Sequence, residues 1–259
     1  MALRALIFDV DGTLADTERD GHRVAFNAAF AASGLDWSWD EATYGELLQV
    51  AGGIERMVHY ARAYRGLKQP EQELQNFLQQ LHVTKTRHYV QGVLSGAVPL
   101  RPGIARVIAQ ARAEGLLLAI ATTTTRENVT ALLQATLGDD AATWFAAIGT
   151  AQEVAAKKPD PAVYQWVLDR LAVRPWEALA LEDSRNGLVA ATRAGVPCIV
   201  TPTRYSADED FAEAAARLAD LDHHSERPGL PVTLDDLRLW QARAVGTPRA
   251  SACVSAGKV

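Results

Sequence analysis

Short apolar runs at residues 3–8, 116–121, 145–148, 178–181 and 198–201 punctuate the chain, each of a length that suits a strand buried on both faces. Between them, residues 104–113, 128–135, 161–171 and 187–194 read as helices, the first and last stopped by Gly115 and Gly195. Strands alternating with helices predict a parallel sheet covered on both faces, an α/β, Rossmann-like, doubly wound core.

One segment departs from that rhythm. From Asp16 to about Gly92 no strand-like run occurs, and apolar residues recur at helical spacing, as in Val24, Ala25, Ala28 and Ala29 or Ile54, Met57, Val58 and Ala61. Breaks at Ser33-Gly34, Gly52-Gly53 and 66–70 divide it into four or five helices. The expected division is a core of residues 1–15 and 93–225, an inserted helical cap at 16–92, and a C-terminal extension at 226–259. That extension carries a helix at 234–244 and a small-residue tail, 246–259, expected to be disordered.

The 259 residues are 48% hydrophobic and 22% charged, which fits a soluble globular chain. A formal charge of −5 supplies no basic field for nucleic acid or an anionic membrane, so an anionic ligand must be held locally. The N-terminal MALRALIFDVDG is interrupted by Asp9 and Asp11 too early for a signal peptide or a membrane span. Two cysteines, Cys198 in an apolar run and Cys253 in the tail, make neither a disulfide framework nor a zinc cluster, and a reducing compartment follows.

In open parallel sheets ligands gather outside the carboxyl ends of the strands. Here those ends read Asp9-Val10-Asp11-Gly12-Thr13, Thr122-Thr123-Thr124-Thr125 and Glu182-Asp183-Ser184, a set of hard oxygen donors suited to Mg²⁺ and phosphate. Asp at a strand end also serves as a turn or cap residue, and Thr122 as a helix cap. Keeping Asp9 and Asp11 close at the end of a buried strand is costly without a cation, which favours a site. Lys158, followed by Pro159, is either a solvated loop lysine or a cation for crowded phosphate and aspartate oxygens.

In order, Asp9-Val10-Asp11-Gly12-Thr13-Leu14, Thr122, Lys158-Pro159 and Glu182-Asp183 resemble the four motifs of the haloacid dehalogenase (HAD) superfamily, a match over about residues 1–225. The resemblance implies Asp9 as nucleophile and Asp11 as the acid that protonates the leaving oxygen and then activates water. It also implies Thr122 and Lys158 on the phosphoryl group, and Mg²⁺ held by Asp9, Asp11 (through its backbone carbonyl) and Asp183, with Glu182 acting through water. More narrowly, Glu18, Trp37-Ser38-Trp39-Asp40, Gly52-Gly53-Ile54-Glu55-Arg56, His82 with Lys85, and Thr122-Thr123-Thr124 resemble the CbbY group. That group includes phosphatases of xylulose 1,5-bisphosphate, an inhibitor of the carbon-fixing enzyme Rubisco. It carries lysine where this chain has Ile54. The substrate contacts expected are therefore Glu18, Gly52, Gly53, Arg56, His82, Lys85, Thr122, Thr123, Thr124, Arg126 and Lys158, with Arg56, His82, Lys85 and Arg126 as cations for a second phosphate. Any of these cations can equally belong to a solvated helix face, and the two tryptophans to the cap core.

The resulting expectation is a Mg²⁺-dependent phosphatase acting on a small phosphorylated sugar as a monomer, without nucleic-acid or membrane partners, in a bacterial cytoplasm or, after transit-peptide removal, a plastid stroma. A β-phosphoglucomutase-like phosphotransferase shares the fold, cap type and nucleophile. A receiver-like signalling domain is disfavoured because its acceptor aspartate lies in mid-chain, and a dinucleotide-binding enzyme because no GxGxxG follows the first strand. A dehalogenase has no need of Asp11.

Overall fold

The computed structural model describes residues 2–50 and 52–246. Its centre is β1 (Ala5–Phe8), whose four residues are all buried. Alternation sends Leu6 and Phe8 into the hydrophobic cluster on one face of the sheet and Ala5 and Ile7 into the cluster on the other. Around it lie β2 (Leu117–Ala121), β3 (Phe145–Gly149), β4 (Ala178–Glu182), β5 (Cys198–Val200) and β6 (Ala216–Arg217), in the order β3-β2-β1-β4-β5-β6. All neighbours pair in parallel, the doubly wound α/β arrangement expected from the alternation. β6 follows the strand that the sequence reading took as the last of the core; at two residues it is too short to leave an apolar run.

Between β1 and β2 the chain makes a π-helical turn (Glu18–His22) and the helices α1 (Arg23–Ala32), α2 (Glu41–Leu47), α3 (Gly53–Ala63) and α4 (Glu71–Leu94). Asp40 caps α2 by accepting from the Thr43 N–H. These helices enclose a hydrophobic cluster of their own around Phe26, Phe30, Trp37, Trp39, Tyr44, Met57 and Leu78. Trp39 packs edge-on against Phe30 with ring centroids 4.9 Å apart, so both tryptophans are core side chains. The C-terminal half of α4 leaves that cluster, and Tyr89 and Val93 pack with Val98 and Ile104 on the sheet.

The sheet is flanked by α5 (Ile104–Ala113), α6 (Arg126–Leu137) and α9 (Leu234–Gly246) on one face, and by α7 (Ala162–Leu171) and α8 (Arg185–Arg193) on the other. Val232, Leu234, Leu237 and Trp240 join the first cluster, so the core continues beyond residue 225. The tail at 247–259 lies outside the described residues. Among the described residues no helix is long and apolar enough to cross a membrane.

Candidate active site

The parallel register brings the carboxyl ends of β1, β2 and β4 to one edge, opposite α2 and α3, around a cavity of about 540 Å³. Asp9 follows β1, and its N–H donates to Leu181 O at 3.0 Å, extending the ladder to the first catalytic candidate. Lys158 Nζ donates to Asp9 Oδ1 at 2.6 Å, to Glu182 Oε1 at 2.6 Å and to Ala121 O at 2.8 Å, filling the ammonium's three donor positions. The Tyr164 hydroxyl also donates to Glu182 Oε1. Burial opposes the charge on Lys158, but Asp9 and Glu182 outweigh it and hold the ammonium's pKa above the ordinary value. Burial, against Lys158, pushes Asp9 up to about 7, with Glu182 and Asp11 adding to the rise; burial first, then the charges of Asp9 and Glu182, raise Asp183 well above its ordinary value against Arg101 and Lys158.

One lysine does not neutralise this group. Oxygens of Asp9, Glu182 and Asp183 all lie within 4.8 Å of one another, and Glu182 Oε2 is buried without a hydrogen-bond partner. Crowded, under-compensated hard oxygens fit a divalent cation such as Mg²⁺. Gly12 makes the crowding possible: its φ of +86° suits glycine, and a Cβ there would stand 2.2 Å from Asp183 Oδ2. Arg101 Nη1 ties the loop down by donating to Gly12 O and, at 2.5 Å, to Thr201 O.

Asp11 Oδ1 accepts from Thr17 Oγ1 at 2.5 Å and faces His22 Nε2 at 3.0 Å, while Lys85 Nζ lies 2.7 Å from His22 Nδ1. Lys85 donating to Nδ1 and Nε2–H donating to Asp11 satisfies all three groups. Burial works to raise Asp11, but the His22 and Thr17 contacts prevail and hold it at about 2. Burial lowers Lys85 to about 8.

Asp9, Asp11, Glu18, Gly52, Arg56, Thr122, Thr123, Lys158, Glu182 and Asp183 all line the cavity. The other expected contacts are placed differently. Thr124 is buried just before α6, outside the cavity lining, and its Oγ1 accepts from Asn128 Nδ2 at 3.0 Å. Arg126, at the start of α6, donates to Ile148 O and Glu153 Oε1 and lines a separate groove between α4 and α6, outside the cavity. Lys85 and His82 stand behind the cavity wall, Lys85 on His22 and His82 against Gly53, so neither is presented to it as an exposed cation. Ile54 packs at the edge of the cap's aromatic cluster. Four residues that the sequence reading passed over complete the site: His22, Tyr164, Arg101 and Tyr44, whose hydroxyl joins Glu18 to Arg56. Each works across distance in the chain, and only the four-residue step from Glu18 to His22 on one helical face hinted at any of them.

A family model of haloacid dehalogenase-like hydrolases matches residues 3–195. The chain belongs to that family. This haloacid dehalogenase-like hydrolase is 53% identical over 228 residues to the plasmid-encoded protein CbbY of Cupriavidus necator, covering 86% of this chain and 88% of that protein. It is similar to the crystal structure of CbbY from Rhodobacter sphaeroides in complex with phosphate, with a TM-score of 0.78 and 45% identity, covering 84% of this chain and 94% of the other. A mutant of that CbbY in complex with xylulose-(1,5)bisphosphate matches with a TM-score of 0.77 at the same identity and coverage. Within the family the chain groups with the CbbY proteins, and it is a phosphatase, a phosphoric monoester hydrolase.

Proposed function

We propose that the protein removes the 1-phosphate of xylulose 1,5-bisphosphate in a Mg²⁺-dependent reaction, giving xylulose 5-phosphate through an aspartyl phosphate on Asp9. The observation that carries the phosphoryl chemistry is Asp9 held at 2.6 Å by a buried lysine among carboxylates that call for a cation. The choice of substrate rests on the likeness to the CbbY that binds this bisphosphate.

Asp9 attacks phosphorus with the oxygen not engaged by Lys158, which splits hydrolysis into formation and breakdown of an acyl phosphate. Asp9, the backbone carbonyl of Asp11 and Asp183 would hold Mg²⁺, with Glu182 acting through water from the oxygen that Lys158 and Tyr164 leave unpartnered. Bound there, the ion would offset charge on the transferring phosphoryl oxygens. Lys158 would offset charge on the same phosphoryl oxygens, and Thr122 lines the cavity beside it at the end of β2. The contacts with Thr17 and His22 keep Asp11 ionised, the form that activates water; an entering phosphate dianion raises its proton affinity, as the earlier donation to the leaving oxygen requires.

The test is phosphate release from xylulose 1,5-bisphosphate, ribulose 1,5-bisphosphate, β-glucose 1-phosphate and p-nitrophenyl phosphate, with Mg²⁺ and with chelator, in wild type and Asp9→Asn. Preference for the first, abolished by chelator and by the variant, is expected. Metal-dependent release with another preference would replace the substrate, and slow release with sugar-phosphate isomerisation would favour the mutase chemistry.

A further inference from the structure

The cap carries a polar chain that the reaction chemistry leaves unused. Glu18 and Arg56 face the active-site cavity, and Tyr44 stands behind them, fully buried in α2 and outside the cavity lining. Arg56 Nη1 donates to the Tyr44 hydroxyl at 2.9 Å, and the hydroxyl donates to Glu18 Oε2. One hydroxyl thus accepts from a buried guanidinium and donates to a carboxylate from a different element. The charges of Arg56 and Glu18 themselves stand 4.0 Å apart, at the edge of direct pairing. Arg56 also donates from Nε to Leu47 O at 3.1 Å and from Nη2 to Val50 O at 3.4 Å, which fixes its plane and leaves one N–H on each Nη.

The middle of this chain is held by packing. The Tyr44 ring is packed against Phe26, Trp39 and Tyr205, with centroids 5.9–6.2 Å away. Glu18 opens a π-helical turn, a rare geometry found disproportionately at functional positions. Burial, and then the Glu18 charge, hold the phenol well above its ordinary pKa, so it remains a donor. Among the described residues no hydrogen bond reaches Glu18 Oε1, so this oxygen is left to accept from a ligand hydroxyl.

We propose that Tyr44 is a positioning residue that sets Glu18 and Arg56 to recognise the hydroxyls of a polyhydroxylated phosphate ester, and so contributes to the enzyme's selectivity. The inference rests on the sugar-phosphate reading above and deepens it. A site organised to accept a substrate hydroxyl discriminates strongly against analogues that lack one, but only while its buried acceptor is held in place.

The test compares kcat/KM for the preferred sugar phosphate with that for p-nitrophenyl phosphate in wild type, Tyr44→Phe, Glu18→Gln and the double variant, with melting temperatures as a check on folding. Phe keeps the packed ring and removes only the hydroxyl. Tyr44→Phe is expected to lower the ratio of the two kcat/KM values by about tenfold or more, mainly through KM for the sugar phosphate, the scale of one hydrogen bond to a charged group. The double variant should lose little more than Glu18→Gln alone, because both changes act through one carboxylate. A wild type without preference for the sugar phosphate would overturn the substrate reading and this inference with it. A selective wild type whose selectivity survives Tyr44→Phe or Glu18→Gln would overturn the inference alone, as would strictly additive losses in the double variant.

Discussion

Lys158 Nζ lies 2.6 Å from Asp9 Oδ1, joining residues 149 positions apart, and the same ammonium stands 2.6 Å from Glu182 Oε1. Removing it leaves two buried carboxylates without their shared cation, which is worse than losing an exposed pair because neither is rehydrated. Lys158→Met is therefore expected to reduce kcat/KM at least about a hundredfold and to destabilise the fold by about 3–5 kcal/mol. Steady-state kinetics and urea unfolding check the two effects separately. Unchanged stability would mean that the carboxylates find another partner.

Gly187 in α8 tests the carboxylate cluster from behind. Glycine to alanine within a helix ordinarily gains about 1 kcal/mol. Here the added Cβ would fall 1.8 Å from Glu182 Oε2, so the carboxylate must move. Overpacking costs about 1–3 kcal/mol and exceeds the helical gain. Gly187→Ala is expected to lower the melting temperature and to raise the Mg²⁺ concentration for half-maximal activity at least about tenfold, read from metal titrations of activity.

The core was legible from the sequence because its signals are local. Apolar runs such as 178–181 mark buried strands, and parallel topology then sends Asp9, Thr122 and Asp183 to a shared edge. What was not legible depends on side-chain direction and on partners remote in sequence. Arg126 follows a run of threonines that reads as phosphate-binding, yet as the first residue of α6 it turns to Glu153. His22 and Lys85 meet across 63 residues, and nothing in either's neighbours in the chain announces the meeting. Tyr44 carries no motif at all; it becomes informative only when Glu18 and Arg56 are seen on either side of its hydroxyl. The helix at 234–244 was visible as a helix, but its burial against the sheet was not, since its apolar face resembles that of any amphipathic helix.

Two ion pairs hold the cap helices to the core at the cavity rim: Lys157 with Glu55 at the start of α3, and Arg204 with Glu41 at the start of α2. Both are substantially exposed, so each is worth only about 0.2–1 kcal/mol and is screened by salt. Because Glu55 adjoins Arg56, the first pair also sets the height of a cavity-lining cation. Glu55→Lys is expected to raise KM for the sugar phosphate about two- to fivefold, and adding Lys157→Glu to restore it. KM measured at low and high ionic strength should converge between wild type and Glu55→Lys as salt screens both the attraction and the repulsion.

His82 supplies a pH dependence of stability rather than of chemistry. Burial, followed by the charge of Lys85, pushes its pKa down to about 4; Glu55 pulls the other way, and Lys157 adds to the fall. Its folded pKa thus lies below the ordinary 6.5, so as pH falls from 6.5 to 4 the unfolded chain takes up a proton that the folded chain refuses. Stability contributed by neutral His82 is present above pH 6.5 and is lost across that window, by up to about 3 kcal/mol, a ceiling that its partial exposure lowers. His82→Gln removes the proton acceptor without a large change of volume. Urea unfolding at several pH values from 7 to 4 should show a shallower loss of stability in the variant than in wild type, with the carboxylates that titrate in the same range cancelling in the difference. Parallel curves would mean that His82 is protonated in the folded protein, and that Glu55, rather than burial, governs it.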